Sequence, residues 1–561
     1  MAEQRPAPAM RWWGWGEDLR APGLPPHALG FLREHVGVSE RPRPPVALAN
    51  VELPDARLPA ATLERLGENL GAHGLREDRA ARIAHAAGKG YPDLLTMRAG
   101  RPRHAPDAVA YPAGAEQLRA LLASCAQQSV AVVPFGGGTS VVGGVEPLAG
   151  EHRGVIALDM SHMMRILGLD SQSLTVSVQG GLRAPALERH LAAQGLTLGH
   201  YPQSYEYVSL GGCAATRSAG QASTGYGAIE KMILGLRLLA PAGEIELPPL
   251  PASAAGPGLR QLLIGSEGTL GVIAELSLRV RRAPARTIYE GIFFQDFHSG
   301  RQALRTIAAE HALPDVVRLS DEQETQMSLA LAGRGGAKGL LGRAYLGARG
   351  YAGGCLAIFG FEGTAQEVDQ RRGRALALAR AAGGLAVGRS PGEAWRHGRF
   401  SAPYLRDDLL THGVMVETLE TAAQWSDLAR LHSGVGAAIQ TALSGWGTPG
   451  LVMCHVSHVY ETGASLYFTF LARQHPDDPL GQWWAVKSAA CDAILDGGGT
   501  ITHHHAVGHD HAPWMEREIG AAGLGALAAV KAQLDPAGIM NPGKLWPPGR
   551  SIGRPPLSRS A

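Results

Sequence analysis

Apolar and polar positions change period several times along the chain. In "ATLERLGENLGAHG" and "DRAARIAHAAG" the apolar residues recur at helical spacing between Pro-rich stretches, which predicts a helical N-terminal region over 1–105. From 106 the texture changes. "EQLRALLASCAQQ" is spaced as a helix, and "SVAVVPF" is a short β-branched run ending in glycines. "GVIALDM", "MMRILGLD" and "LTVSVQGG" read as further strands and "APALERHLAAQGL" as a helix. "ILGLRLLAPAGEIEL" gives two strands about a Pro-Ala-Gly turn, and "GVIAELSLRVRRAP" closes an α+β domain over 106–285. A second α+β region, 286–546, opens with strand-like "TIYEGIFFQDF" and the helical "SGRQALRTIAAEHAL". Within it, "AGRGGAKGLLGRAYLGARGYAGG" is so rich in glycine that a mobile loop is expected, with a lid or membrane-facing element as the sharper reading. The tail 547–561 is expected to be disordered.

Composition narrows the class. At 561 residues the chain outgrows a single core, so two or three domains are expected. The net charge of +2 argues against nucleic acid as a partner, and an anionic ligand must be held by local arginines. Five scattered cysteines without a C-x-x-C pair fit reduced thiols rather than a disulfide framework or a zinc ribbon. There is no apolar stretch of membrane-spanning length and no signal-peptide core near the start, so a soluble protein is expected.

The strongest local chemistry lies in "VVPFGGGTSVVGGV". A strand running into Gly136, Gly137 and Gly138 exposes backbone N–H groups that no Cβ blocks, and Thr139 and Ser140 add hydroxyls, which together suit a pyrophosphate. The segment lacks a P-loop lysine and does not fit G-x-G-x-x-G. Alone, such a cluster is more often a turn than a ligand cradle. Three further stretches, "HYPQSYEYVSLGGC", "ATRSAGQASTGYG" and "LLIGSEGTLGVIAEL", also place small and hydroxyl residues beside strands. Together they resemble the flavin-binding domain of the vanillyl-alcohol oxidase (PCMH-type) superfamily, which implies FAD held in two small α+β subdomains, with a substrate or cap domain beside them.

The ordered set "MRWWGWGEDL", "VVRLSD", "YLRDDLLTHGVMVETLETAAQW", "HVSHVYETGASLYFTF" and "GGTITHHHAVGHDH" narrows the resemblance to the alkyldihydroxyacetonephosphate synthase family, over nearly the whole chain. The resemblance implies FAD contacts from Pro134, Phe135, Gly136, Gly137, Gly138, Thr139 and Ser140, and from Gln203, Ser204 and Ser209. It adds Thr216, Arg217, Ser218 and Ala219, and Glu267, Gly268, Thr269, Leu270, Gly271, Val272 and Ile273. It also implies that Arg406 binds the substrate phosphate, that Arg318 sits over the flavin, that Tyr460 is the acid–base residue, and that His503, His504 and His505 form a loop beside the flavin. The implied reaction exchanges the acyl chain of acyl-dihydroxyacetone phosphate for a fatty alcohol, without net oxidation. That chemistry needs a fixed cation for a phosphate, a base beside a ketone and an apolar tunnel.

Plainer readings stand beside these. Arg406 is followed by Asp407 and Asp408 and could be a structural ion pair; Tyr460 could be a half-buried strand residue. The histidines of "THHHAVGHDH" could ligate zinc, but no cysteine lies nearby and the H-G-D-G-N-x-H pattern of metal-dependent flavin dehydrogenases is missing, so no metal is expected. His509 and His511 are read as surface or supporting residues. Gln203 stands where the family carries an acidic residue, removing a negative charge near the cofactor. The rival functions are an FAD-dependent dehydrogenase or oxidase of a 2-hydroxy acid or alcohol, and a non-catalytic flavin-binding scaffold. "SRSA" is no peroxisomal signal, so a cytoplasmic protein with peripheral contact at the inner membrane face is expected; a homodimer is expected separately.

Overall fold

A computed structural model describes residues 10–17, 23–24, 26–39, 41–71, 73–331 and 337–547. Two small sheets build the FAD-side domain. The first is ordered Leu75–Arg76, Ala108–Ala110, Gly154–Asp159, Val130–Phe135, with parallel pairing of Gly154–Asp159 to both neighbours among the last three strands. Parallel strands need a crossover. Helix Ala115–Gln128 supplies it, burying Leu118, Leu121, Leu122 and Cys125. The second sheet is antiparallel, ordered Ile166–Asp170, Thr175–Gln179, Val272–Arg279, Ile233–Ala240, Gly243–Leu247.

The N-terminal region is not purely helical. Beside helices such as Ala60–Gly67 and Tyr91–Arg98 it contributes Leu75–Arg76 to the first sheet. The far end of the chain returns to the same sheet: Val132 N donates to the Ile539 carbonyl and Asn541 N to that of Val132, both at 2.8 Å, and Ile539 and Met540 are fully buried in its core.

The cap is a seven-stranded antiparallel sheet ordered Leu385–Gly388, Arg286–Phe294, Cys355–Gly363, Val316–Ser320, Leu451–Val459, Gly463–Arg473, Val414–Gln424. Its strands alternate. Leu319, Cys454, Val456, Leu466, Phe468 and Phe470 face one way, into a core closed by helices Leu428–Gly445 and Pro479–Asp496. Each large apolar side chain buried there contributes about 1.5–3 kcal/mol.

The Gly-rich segment departs from its expectation. Residues 332–336 lie outside the described residues, but Ala337–Ala348 is a helix, because "AKGLLGRAYLGA" has enough Ala and Leu to offset its glycines. Of the tail, 548–561 lies outside the described residues.

Candidate functional site

A cavity of about 1310 Å³ lies between the FAD-side loops and one face of the cap sheet. Pro134 to Ser140 line it, with Gln203, Ser204, Ser209, Thr216, Ser218, Ala219, Glu267, Gly268 and Gly271 to Ile273. Among the described residues, the amides of Gly137, Gly138, Thr139 and Ser140 donate to no protein acceptor, which leaves them for an anion. Gly138 is left-handed (φ 65°) with the Phe135 ring against it, and a Cβ on Gly137 would sit 2.3 Å from the Tyr207 carbonyl. The small residues and free amides fit the pyrophosphate of FAD.

Three residues expected at the cofactor point elsewhere. Arg217 turns outward to Glu230 and the Gln261 carbonyl, Thr269 donates to the Ser266 carbonyl, and Leu270 packs into the core under the second sheet. Backbone direction explains this: Arg217 has φ 50° and so leaves its neighbours' path. Gln203 does lie at the rim. Its amide donates to the Arg399 carbonyl (2.8 Å) and accepts from Gln221 Nε2 (3.1 Å), so it ties the cap to the cofactor domain with a donor that a carboxylate lacks.

The opposite wall is one face of the cap sheet. Period two puts Arg318, His455, Ser457, Tyr467, Thr469, Val416 and Thr418 on it. Direct cross-strand register sets Glu420 beside Tyr467 and Tyr467 beside His455. His455 and Tyr467 stack with ring centroids 4.9 Å apart. Arg318 contacts His455 (Nη1 to Nε2, 3.0 Å) and Glu324 (2.6 Å). Burial opposes the Glu324 charge, but Arg318 and His455 outweigh it and hold the carboxyl at about 2. Arg318 is therefore a fixed cation at the cavity surface.

Arg406 is different. Its Nη1 donates to the Lys89 carbonyl (2.7 Å), while Nε and Nη2 are buried with no protein partner among the described residues. The adjacent aspartates make no hydrogen bond to it, although Asp407 is the strongest opposite charge acting on it. Asp407 Oδ2 accepts from Trp15 N (2.6 Å) and Arg11 Nη2 (3.1 Å), and Asp408 accepts from Leu24 N (2.9 Å). The "RWWGWG" segment thus engages Asp407 and leaves Arg406 for a ligand. Close packing explains one of its glycines: a Cβ on Gly14 would lie 2.5 Å from Asp407 Oδ2.

The histidine segment is a loop wound round a carboxylate. Glu420, 2 % exposed, accepts from Thr502 Oγ1 (2.7 Å) and from the amides of His503, His504 (3.0 Å) and His505 (2.6 Å). Burial raises the pKa of Glu420, and the histidines and hydrogen bonds around it bring it below the ordinary value. His504 and His505 line the cavity, and burial holds both imidazoles below the ordinary histidine range. His503 lies behind them, its Nδ1 2.9 Å from His504 Nδ1. His458, His503 and His504 each bring a ring nitrogen within 4.8 Å of the others, a possible metal grouping. Hydrogen bonds already engage them: His458 Nε2 lies 3.1 Å from the Gly220 carbonyl and its Nδ1 2.8 Å from Ser457 Oγ. His511 is buried, its Nδ1 on the Ala506 carbonyl.

Tyr460 does not line the cavity. It follows the strand Leu451–Val459, after a register shift between Val456 and Val459, and its hydroxyl lies 2.5 Å from His503 Nε2. The tyrosine that the cap sheet turns toward the cavity is Tyr467, seven positions on and in phase with Ser465 and Thr469. Burial pushes Tyr467 up to about 12, so it holds its proton at neutral pH. Alternation in "GASLYFTF" carried that signal; Glu420 and His455 were reachable by the same pattern, whereas the Arg11–Trp15 clamp had no local signature.

Family models match over residues 106–247 (FAD binding domain) and 283–545 (FAD linked oxidases, C-terminal domain). The alkyldihydroxyacetonephosphate synthase of Dictyostelium discoideum is 34 % identical over 84 % of this chain and 78 % of its own. That of Trypanosoma brucei brucei is 32 % identical over 98 % and 95 %. A solved structure of an alkyldihydroxyacetonephosphate synthase superposes with a TM-score of 0.83 at 29 % identity, covering 95 % of this chain and 98 % of the other. p-Cresol methylhydroxylase, at 15 % identity and a TM-score of 0.66 over 86 % and 96 %, shares the fold. The cofactor is FAD, and the chain belongs to the alkyldihydroxyacetonephosphate synthase family.

Proposed function

We propose that this enzyme is an FAD-dependent transferase that replaces the acyl chain of acyl-dihydroxyacetone phosphate with a fatty alcohol, giving an ether-lipid precursor and a free fatty acid. The observation that carries the reading is Arg406: two buried guanidinium nitrogens without protein partners among the described residues, in the same cavity as the free amides of the glycine loop. A dianionic phosphate satisfies both and offsets the cost of burying the charge.

The chain's residues supply the rest. Pro134 to Ser140 and the loops about Ser209 and Gly268 hold FAD. When bound, FAD supplies a ring that takes and returns electron density, consistent with an exchange that has no net oxidation. Arg318 stabilises negative charge at the ketone, and the neutral His504 or His505 accepts the proton removed beside it, with Tyr467 as a donor. Leu32, Met327, Leu409, Met453 and Leu471 continue the cavity as an apolar channel for the long chains. At its mouth, Leu341 and Tyr345 of the helix Ala337–Ala348 are 69 % and 46 % exposed. This rim is the face we propose for peripheral contact with the inner membrane surface, where both lipid substrates reside; no helix among the described residues is long and apolar enough to span it.

The test is to incubate the holoenzyme without oxygen with palmitoyl-dihydroxyacetone phosphate and hexadecanol, following flavin absorbance and lipid products together. Ether product with the flavin returning to its oxidised spectrum is expected. Flavin bleached by 2-hydroxy acids, with no ether formed, makes the enzyme a dehydrogenase instead.

A further inference from the structure

Tyr460 touches both His503 and a second hollow on the other side of the histidine loop. That hollow is lined by Gln424, Asp427, Tyr460, Thr500 and Arg517, with Thr462 and the 44 % exposed Arg517 open to solvent. On the inner side, His504 lines the main cavity. Between them runs an unbroken series of contacts: His504 Nδ1 to His503 Nδ1 at 2.9 Å, then His503 Nε2 to the Tyr460 hydroxyl at 2.5 Å. Glu420 fixes the backbone of both histidines from a single buried carboxylate, so the series is held in register.

We propose that His504, His503 and Tyr460 form a proton relay joining the main cavity to solvent in the second hollow. The proposal rests on the proton-transfer chemistry of the function proposed above. With His504 and His503 each protonated at the nitrogen facing outward, a proton taken up at His504 Nε2 releases the one on Nδ1 to His503 Nδ1. His503 then releases its Nε2 proton to the Tyr460 oxygen, and Tyr460 releases its hydroxyl proton to water. One proton enters, one leaves and no electron moves. Returning a proton to the substrate site runs the series backwards, which restores the starting tautomers without turning a ring. Tyr460 is thus a positioning residue that acts through His503, not an acid–base group at the substrate.

Tyr460→Phe tests this with little change of shape. Expected is a fall in kcat of about a hundredfold with KM and FAD content unchanged, reversed in part as the concentration of imidazole or phosphate buffer rises, because small bases enter the hollow in place of the hydroxyl. Unchanged kcat in a competent parent, or a loss that no buffer relieves, overturns the relay. If the parent itself makes no ether product, the functional reading falls and the relay is decided by nitrogen-15 resonances of histidine-labelled holoenzyme. A relay shifts the Nε2 of His503 and the facing Nδ1 pair together in Tyr460→Phe. A shift confined to His503 overturns it, as does a divalent ion bound at stoichiometric level by these histidines.

Discussion

The two walls of the cavity are made of different material. On the cofactor side, backbone amides and small residues from a few short loops line the cavity, and close packing leaves no room for larger side chains: Gly136, Gly137 and Gly138 each have a neighbour within 2.5 Å of where a Cβ would stand. On the cap side, charged and aromatic side chains project from separate strands of one sheet, and their chemistry depends on what lies behind them. Glu420 organises the histidine loop, Glu324 partners Arg318, and Arg11 and Trp15 hydrogen-bond Asp407 beside Arg406. A backbone wall is sensitive to volume; a side-chain wall is sensitive to charge.

That contrast can be broken most severely at Gly137. Gly137→Val places methyl groups against the Tyr207 carbonyl, and the expected outcome is a folded, colourless protein, read from flavin absorbance and circular dichroism. If the variant stays yellow, the backbone wall is less constrained than described.

The next effect is acid lability of the cap wall. Burial lowers the folded-state pKa of His455, His458, His503, His504 and His505, and that of His511 to about 3. Below the ordinary value of 6.5 the unfolded chain binds more protons than the folded one, so stability falls as pH drops. Each such histidine costs about 1.4 kcal/mol per pH unit until its folded pKa is reached. Hydrogen-exchange protection, corrected for the slower intrinsic exchange at lower pH, is expected to fall first around the histidine loop between pH 7 and pH 5; an equal fall in the glycine loop would deny the contrast.

Arg406→Ala should raise KM for the phosphate substrate about a hundredfold, the worth of one or two charge-assisted hydrogen bonds, with FAD retained. Loss of FAD in this variant would show that the walls are not independent. Shortening the fatty alcohol by one methylene should lower kcat/KM about fourfold, from about 0.8 kcal/mol per buried CH₂, measurable with a homologous alcohol series. The smallest effect is expected from Gln203→Glu, which removes the donor to the Arg399 carbonyl at the exposed rim: about 0.5–1 kcal/mol in thermal unfolding, with near-parental turnover.

The same contrast governs what could be read from the chain. The cofactor wall was legible because glycines and hydroxyls cluster within contiguous stretches such as "VVPFGGGTSVVGG"; the side chains of Arg217, Thr269 and Leu270 leave the cavity where a loop's backbone turns and a contiguous run was carried through it. The cap wall needs residues far apart in sequence to share one face, so only alternation could expose it. Tyr460 and Tyr467 differ by an odd number of positions and by a register shift, which is enough to exchange the cavity for the hollow behind it. The expected loop over the Gly-rich segment failed for another reason: glycine was weighed more heavily than the Ala and Leu between them.

The return of residues 539–541 to the first sheet also sets an order in time. Asn541 Nδ2 donates to the carbonyls of Gly144 and Glu267, the former 397 positions earlier. During synthesis the glycine loop therefore leaves the ribosome long before the segment that steadies it, and the whole cap must be made in the interval. Tight uptake of FAD is on this account a late event of biogenesis, and a nascent chain stalled before residue 539 should carry both sheets of the cofactor domain yet hold the flavin poorly.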